Sequence, residues 1–202
     1  MQSPESPAWP YGLSVKTPPA AEPLTAAEVR EHLRVDDTSE DTLINLYITA
    51  AREWLEVQCN ESFITRTLVL SMAGFPRYRA EIVLPRPPLI SVTTVEYTDP
   101  DNATQTFTDW QEWATTQPGR LCPLPSAEWP ATATGLYEAV QVTYDAGHGA
   151  LATDVPERFR HAMRLLVGEW YENREQVQDR PLNSIPDGIG EVVQSLRTPY
   201  YV

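Results

Sequence analysis

The residues of this sequence that could perform chemistry are few and widely separated. A histidine can act as a general base or as a metal ligand. His148 stands between two glycines, as a loop histidine presented to a substrate would, but no orienting partner or nucleophile motif lies near it in the sequence. His32 and His161 fall on predicted helices without the spacing of metal ligands, so we interpret them as polar-face residues.

Two other groups of residues invite a chemical interpretation, and each has a simpler one. The acidic stretch 35–41 could bind calcium, but it lacks the glycine and the terminal glutamate of a calcium loop, and helix capping explains it. Trp54, Trp170 and Tyr171 could form a ligand cage, although aromatics at helical spacing commonly fill a core. The sequence also lacks phosphate-loop, dinucleotide-binding and nucleophile-elbow motifs. It therefore predicts no catalytic, metal or cofactor site.

A small basic face offers the clearest candidate for recognition rather than catalysis. Arg160 and Arg164 are four residues apart on a predicted helix, with His161 beside them. One interpretation is a solvated face balanced by Glu157, which is common for helix charges. The other is a contact with an acidic neighbouring subunit.

Composition narrows the function classes. The chain has 202 residues, a formal net charge of −13 and a pI near 4.6. Such acidity disfavours tight wrapping of nucleic acid, which needs neutralising cations. Lys16 is the only lysine; the predominance of arginine suits interface contacts, and a GC-rich genome would produce the same bias. Cys59 and Cys122 are expected to be free, and without a signal peptide or membrane-length run we expect folding in a reducing cytoplasm.

The elements that position these residues begin with two helices. Thr25 and Glu28 have the spacing of a capping box, with Leu24 and Val29 placed as a hydrophobic staple, and this helix should run to about Arg34. Thr38 or Ser39 is expected to cap a second helix, which continues to about residue 60. The apolar residues of the second helix form two adjoining stripes: Leu43, Leu46, Tyr47, Ala50, Trp54 and Val57 in one, and Ile44, Ile48, Ala51 and Leu55 in the other.

The apolar arc formed by these two stripes is wider than a helix packed on one side needs. We therefore expect the helix either to lie at the centre of the domain or to have a second partner on another chain. In this interpretation Leu43 and Leu46 belong to the monomer core. Ile48 is a half-exposed edge position available to a neighbouring chain.

From about residue 63 to 150 the hydrophobic period changes to two, which predicts strands. In the stretch 84–97, "LPRPPLISVTTVEY", three prolines precede a β-branched run. The prolines exclude a helix, and strict alternation puts two sets of side chains on opposite faces. These sets are Ile90, Val92 and Thr94 on one face, and Ser91, Thr93 and Val95 on the other. "DPDN" at 99–102 predicts a hairpin turn.

Helical character returns at residue 155, with Pro156 in the first turn and an apolar face running from Phe159 to Trp170. A short helix is expected at Glu191–Arg197. The C-terminal part could fold back onto its own bundle or extend and dock into a partner. The apolar residues concerned are Ile189, Val192, Val193, Leu196, Tyr200, Tyr201 and Val202.

These patterns predict an α+β fold in which a small helical bundle from the two ends of the chain carries an inserted β-rich layer. The predicted divisions are an extended arm at 1–23, a bundle of 24–62 and 151–180, a β-rich insertion at 63–150, and a tail at 181–202.

The order of the motifs resembles that of the head–tail connector, or adaptor, proteins of tailed bacteriophages and phage-like particles. The resemblance spans about residues 24–176 and leaves the N-terminal arm outside. It rests on five stretches in order: "LTAAEVREHLRVDDTSEDTLINLYITAAREWLE", "TRTLVLSMAGFP", "IVLPRPPLISVTTVEY", "VTYDAGHG" and "VPERFRHAMRLLVGEWYENRE".

The resemblance implies a structural virion protein at the head–tail junction, made in the bacterial host cytoplasm, with no enzymatic activity and no cofactor. Such proteins form a homo-oligomeric ring, usually twelve-fold, beneath the portal protein. Neck proteins such as a stopper or tail-terminator then dock onto the ring. DNA passes through without tight binding, and no membrane is involved. The partner-binding residues would be Ile48, Arg160, Arg164 and the apolar C-terminal residues.

Two other classes remain open from the sequence. One is another neck or tail-completion virion protein, although these are generally β-dominated and lack a long helix pair at both ends. The other is a small hydrolase or binding protein of mixed fold, which would need a polar constellation in a pocket.

Overall fold

The computed structural model describes residues 11–78, 80–173 and 187–197. This part of the chain contains four α-helices and eight β-strands, which confirms the predicted α+β class. The described residues of Pro19–Ile64 and His148–Pro199 form a helical unit. Those of Met1–Pro18 and Thr65–Gly147 form a β unit.

The helical unit is a bundle in which α2 packs against the three other helices. The helices are α1 (Ala26–Leu33), α2 (Asp41–Cys59), α3 (Glu157–Glu172) and α4 (Asp187–Leu196). Their common core is apolar because each helix turns one stripe inward. The most deeply buried members of this core are Val29, Ile44, Ile48, Ala51, Leu55, Cys59, Phe63, Phe159, Ala162, Met163 and Val167.

The helix starts agree with the sequence at α1 and differ at α2. Thr25 caps α1 and forms the reciprocal capping box with Glu28, as predicted. The predicted cap of α2 by Thr38 or Ser39 is wrong, because Glu40 occupies the N-cap position without a side-chain hydrogen bond. The backbone amide and hydroxyl of Ser39 instead donate to Asp37, so a local turn uses the side chain that was expected to cap the helix.

A buried charge network crosses the helical unit at Arg52. The Arg52 Nε donates to Glu22 over 2.7 Å, and its Nη1 donates to Glu56 over 3.1 Å. The other oxygen of Glu56 accepts the backbone N–H of Phe63 over 2.9 Å. The network therefore joins the segment before α1, the helix α2 and the segment that follows α2.

The β unit consists of two antiparallel sheets. The strands are β1 (Tyr11–Thr17), β2 (Arg66–Met72), β3 (Ile82–Leu84), β4 (Leu89–Thr98), β5 (Thr104–Thr106), β6 (Trp110–Trp113), β7 (Gly119–Pro123) and β8 (Val140–Ala146). One sheet has the order β1-β2-β8-β4-β5, and the other has the order β3-β7-β6. The predicted hairpin at 99–102 is present, since β4 and β5 pair across it.

Part of the predicted N-terminal arm is a strand. Residues 11–17 form β1, which pairs antiparallel with β2 and brings Tyr11 opposite Met72. Leu13 and Val15 are two residues apart in β1, which is the period of side chains on one face of a strand. This period is also compatible with a strand at the edge of a sheet.

The predicted faces of β4 are wrong because the strand contains two irregularities. Its register against β8 shifts between Leu89 and Ser91 and again between Val92 and Thr94. Each β-bulge adds one residue to the strand and so moves the following side chains to the other face. The buried positions therefore recur every three residues, at Leu89, Val92 and Val95, while Ile90 is exposed.

The two sheets approach closely at Gly119, the first residue of β7. A Cβ atom built on Gly119 would lie 2.5 Å from the Cβ of Leu89 in β4. Real Cβ atoms do not approach other carbons so closely, because the repulsion is steep. Glycine at this position therefore allows the buried Leu89 side chain to fill the space between the sheets.

We predict that Gly119→Ala destabilises the protein by about 1–3 kcal/mol, the usual cost of overpacking. Urea unfolding followed by tryptophan fluorescence measures the change. Gly12→Ala is the matched control, because its added Cβ would lie 3.8 Å from the Cβ of Ser71, an ordinary contact. Equal midpoints for the two variants would contradict the close approach of β7 to β4.

We predict that Glu56→Gln lowers the free energy of unfolding by about 3 kcal/mol, because it leaves a buried guanidinium with one carboxylate fewer. Glu53→Gln is the control in the same helix. The Glu53 side chain also lies near Arg52, at 3.6 Å, but is 68% exposed, against 3% for Glu56. We expect the control to change the free energy by less than about 0.5 kcal/mol. A similar loss for both variants would show that burial does not set the strength of this network.

Candidate functional site

The two stripes of α2 have the opposite roles to those predicted. Ile48, expected at a half-exposed edge, is 0% exposed in the core of the helical unit. Leu46, expected in the core, is 64% exposed, and Leu43 is half-buried. The stripe containing Ile44, Ile48 and Leu55 lies in the core of the helical unit. In the other stripe Tyr47 and Trp54 also pack against this core, whereas Leu46 and Val57 are exposed.

The exposed side of α2 carries a regular apolar pattern that we call the outer stripe. Its apolar members are the exposed Leu46 and Val57, at 64% and 60%, and the half-buried Leu43 and Ala50, while the charged Glu53 occupies the position between Ala50 and Val57. The spacing alternates between three and four residues, which is the spacing that places side chains along one seam of a helix–helix contact. An exposed apolar seam of this kind is typical of a surface that another protein covers.

A shallow hollow lies at the N-terminal end of the outer stripe. It has a volume of about 650 Å³ and is open to solvent. It is lined by Ser39, Glu40, Thr42, Leu43, Asn45, Leu46 and Thr49. Because Leu43 and Leu46 supply its apolar surface and the other residues are polar, the hollow has the composition of an interface anchor with a polar rim.

Arg160 and Arg164 already have partners within the chain. Arg160 binds Glu28 and Glu157 and donates through Nε to the carbonyl of Pro23 over 3.0 Å. Arg164 binds Glu157. This arrangement matches the interpretation of a face balanced by its own acids, and contact with an acidic subunit stays a prediction.

The pKa values of the two acids reflect these pairs. Partial burial raises the pKa of Glu28, but hydrogen bonds from Thr25 and the charges of Arg160 and Arg164 outweigh this effect and hold it below its usual value. The hydrogen bond from Arg164 lowers the pKa of Glu157. These carboxylates are therefore ionised at neutral pH, and the basic face carries little uncompensated charge.

The predicted C-terminal helix is longer than expected and lies on the bundle. α4 begins at Asp187, and Val193 is buried against the core, with Val192 and Leu196 partly buried beside it. Ile189 lies in α4, but its side chain is outside the described part of the structure, as are Tyr200, Tyr201 and Val202. Docking of Val193 into a partner would therefore require α4 to leave its own bundle, and this role stays a prediction.

His148 is paired with a buried carboxylate that the sequence did not indicate. Its Nε2 lies 3.0 Å from a carboxylate oxygen of the buried Glu61, and its ring packs near Phe159. The neighbouring Cys59 is also buried, and burial together with the Glu61 carboxylate raises the pKa of its thiol to about 12. A thiol with that pKa is protonated and unreactive at neutral pH.

The described ranges bring no three His, Cys, Asp or Glu side chains together in an arrangement that could hold a metal ion. Among the same residues, no helix combines the length and the apolar character needed to cross a membrane.

The geometry can now be compared with known proteins. Residues 24–99, which contain α1, α2 and the strands β2, β3 and β4, match the family model described as phage gp6-like head-tail connector protein. The predicted resemblance to head–tail connectors is therefore confirmed over this region. A comparison with curated proteins finds no match.

Solved structures match nearly the whole chain. A chain in the virion of a native gene transfer agent particle has a TM-score of 0.76 and 24% identity, covering 94% of this chain and 97% of that one. The neck of the empty particle, computed with C6 symmetry, gives 0.74 and 24%, covering 95% and 97%. The neck of the native particle, computed with C12 symmetry, gives 0.73 and 23%, covering 95% and 97%. At these identities the likeness shows a shared fold.

We predict that Leu46→Asp leaves the protein folded, whereas Ile48→Asp unfolds it. A charge at Leu46 remains in water, but a charge at Ile48 would be buried without a partner, which costs several kcal/mol. Circular dichroism and urea unfolding distinguish the two variants. Loss of folding with Leu46→Asp would contradict the orientation of α2 described above.

Proposed function

We propose that this chain is a head–tail connector subunit that forms a ring in the neck of a tailed phage or phage-like particle. The observation that carries the proposal is the connector family match at residues 24–99. The likeness to gene transfer agent neck and virion structures over at least 94% of the chain supports it. The matched neck and virion structures cover the helical unit and the β unit alike. The whole chain is thus compatible with a position in the neck.

The ring would contain twelve copies of the chain. The support for this number is indirect: the similar structures include a neck computed with C12 symmetry and one computed with C6 symmetry. A repeated subunit around a closed ring needs two complementary surfaces, because each contact in the ring is head-to-tail. The outer stripe of α2 would be one of these surfaces or the surface that meets the portal.

Two physical features favour the outer stripe for this role. Leu46 and Val57 are large apolar side chains that the folded monomer leaves mostly exposed. Burying such side chains in a partner is favourable, at roughly 25 cal/mol per Å² of apolar surface. The stripe also lies on a long helix that buried contacts hold in place, so little ordering is needed when a partner binds.

In this arrangement the portal protein contacts one side of the ring, and tail or neck proteins such as a stopper or tail-terminator contact the other. DNA passes through the centre. A net charge of −13 per subunit, repeated around the ring, produces a negative potential that repels phosphate and so prevents adhesion.

A structural role without catalysis is part of the proposal. The His148 ring is paired with the Glu61 carboxylate, and the buried Cys59 thiol has a pKa raised to about 12. The alternative, another neck or tail-completion protein, differs in the partner it binds and not in chemistry.

The proposal predicts that the wild-type chain joins particles or portal rings and that Leu46→Asp and Val57→Asp do not. Each aspartate would place a charge in a desolvated contact, which we expect to weaken attachment by at least about tenfold. Electron microscopy of portal complexes, together with co-sedimentation, measures attachment. The urea midpoint of each variant establishes that it is folded.

Leu46→Met is the matched control, because it keeps an apolar side chain of similar volume and should attach like the wild type. Normal attachment of both aspartate variants would eliminate the outer stripe as the contact. Failure of the folded wild-type chain to join a portal, combined with binding to a tail protein, would instead support the tail-side alternative.

A further inference from the structure

The helical unit has two distinct ends, because α2 and α3 run in opposite directions. The hydroxyl of Tyr171 near the end of α3 donates to Glu40, which precedes α2. The ring of Phe159 in the first turn of α3 lies 4.7 Å from the ring of Phe63, which follows α2. One end of the unit therefore lies at the start of α2, and the other lies at its last turn.

The end at the start of α2 is acidic and contains the hollow of the outer stripe. Residues 34–41, which lead into the hollow, include four acids and one arginine. Asp36 and Asp37 are exposed. Hydrogen bonds from Ser39 lower the pKa of Asp37, so this carboxylate is ionised at neutral pH. The rim of the hollow is therefore negative.

The opposite end is basic. Among the described residues, neither Arg158 nor Arg197 forms an ion pair, and both side chains are exposed. Burial and the Glu61 carboxylate raise the pKa of the Cys59 thiol, whereas the charges of Arg158 and Arg197 act in the opposite direction. Both arginines therefore lie near Cys59, the last residue of α2. The Arg158 guanidinium lies 4.7 Å from the centre of the Phe159 ring, which holds it beside the first turn of α3.

A rigid turn at the basic end presents Leu151, whose side chain is 63% exposed. A carboxylate oxygen of Asp154 accepts the backbone N–H of Leu151 over 2.9 Å. Gly149 allows this approach, because a Cβ atom at that position would lie 2.5 Å from the Cβ of Asp154. The residues on either side of Leu151 are the small Ala150 and Ala152, so the leucine protrudes from the turn. We call this feature the Leu151 turn.

The Leu151 turn and the hollow are complementary. The turn presents one apolar side chain near a basic residue, and the hollow has an apolar base and a negative rim. They cannot meet within one chain, because α2 from Leu46 to Cys59 is about 20 Å long. Two copies placed head to tail bring them together, and a closed ring repeats a contact of this kind. A two-fold contact between outer stripes would instead bring two negative rims together, which is unfavourable.

From these observations we infer that the Leu151 turn of one copy docks into the hollow at the start of α2 in the next copy. Leu151 packs on Leu43 and Leu46, and Arg158 lies beside the acidic rim. The exposed charges contribute mainly to the orientation of the contact. This inference rests on the proposed function, because it names the surface of the neighbouring ring subunit that covers part of the outer stripe.

Cross-linking of assembled rings tests the contact. Asn45→Cys and Ala150→Cys place thiols in the hollow and beside Leu151, at positions that are exposed in the monomer. On rings assembled with the portal, a short bismaleimide should join the two thiols between neighbouring copies of the double variant. Denaturing gels should then show a ladder of multimers. Cys59 and Cys122 are buried and should not react, so each single variant should remain monomeric on the gel.

The possible results separate this inference from the proposed function. Rings visible by electron microscopy without a ladder from the double variant would overturn the head-to-tail contact and leave the proposed function intact. Cross-linked dimers from Asn45→Cys alone would also overturn it, since they would show a two-fold contact between outer stripes. Failure of the wild-type chain to assemble with a portal would contradict the proposed function itself, and the inference with it.

Leu151→Asp provides a test without cross-linking. Because the side chain is exposed, the urea midpoint should equal that of the wild type, while attachment to portal rings should fall by at least about tenfold. Leu136→Asp is the matched control, since it changes a leucine of the β unit that is 42% exposed, and it should attach normally. Normal attachment of Leu151→Asp, or an equal loss with Leu136→Asp, would overturn the inference.

Discussion

The helical unit depends on one buried guanidinium. Arg52 lies inside the bundle, where a charge is costly unless it is paired and fully hydrogen-bonded. Glu22 and Glu56 satisfy it from two directions, and Glu56 also accepts the backbone N–H of Phe63. Because Glu22 precedes α1 and Phe63 follows α2, the network fixes the positions of both of these segments against the second half of α2. Hydrophobic packing alone would leave both less well defined.

The exit from α2 is also the point at which the β unit is inserted. The chain leaves the helical unit after Ile64 and returns at His148, and the two crossings are adjacent within that unit. Ile64 forms a bridge with Gly149, and the backbone N–H of His148 donates to the carbonyl of Phe63. Adjacent crossings allow a large insertion without a break in the helical core. A bundle of this kind can therefore carry extra assembly surface while its own packing stays the same.

In the proposed function, the two faces of α2 would combine stability and assembly in one helix. The face containing Ile48 is held by α3 and the surrounding core, and the outer stripe containing Leu46 and Val57 remains exposed. A surface on a helix whose opposite face packs against a core is better ordered than a surface on a loop. If the chain is a ring subunit, repetition of this stripe around the ring would produce many identical contacts from one apolar seam.

Interactions between residues that are close together in the sequence account for many of the elements that the sequence predicts. The Thr25–Glu28 capping box, the hairpin at 99–102, and the existence and type of the long helices follow from interactions within a few residues, and all are present. The order of these elements was also enough to indicate the connector resemblance, whose confirmed part is residues 24–99. The outer stripe could have been found from its three-four spacing, but the spacing is similar on both sides of α2.

Only the tertiary structure decided which side of each element is buried. Two apolar stripes on α2 are equivalent in sequence, and packing against α3 selected the one with Ile48. The face pattern of β4 changed because bulges against β8 insert residues into its register, a non-local effect that alternation cannot reveal. The sequence by itself determined elements and their order, because these depend on neighbouring residues, whereas burial and surfaces depend on contacts between residues far apart in the chain.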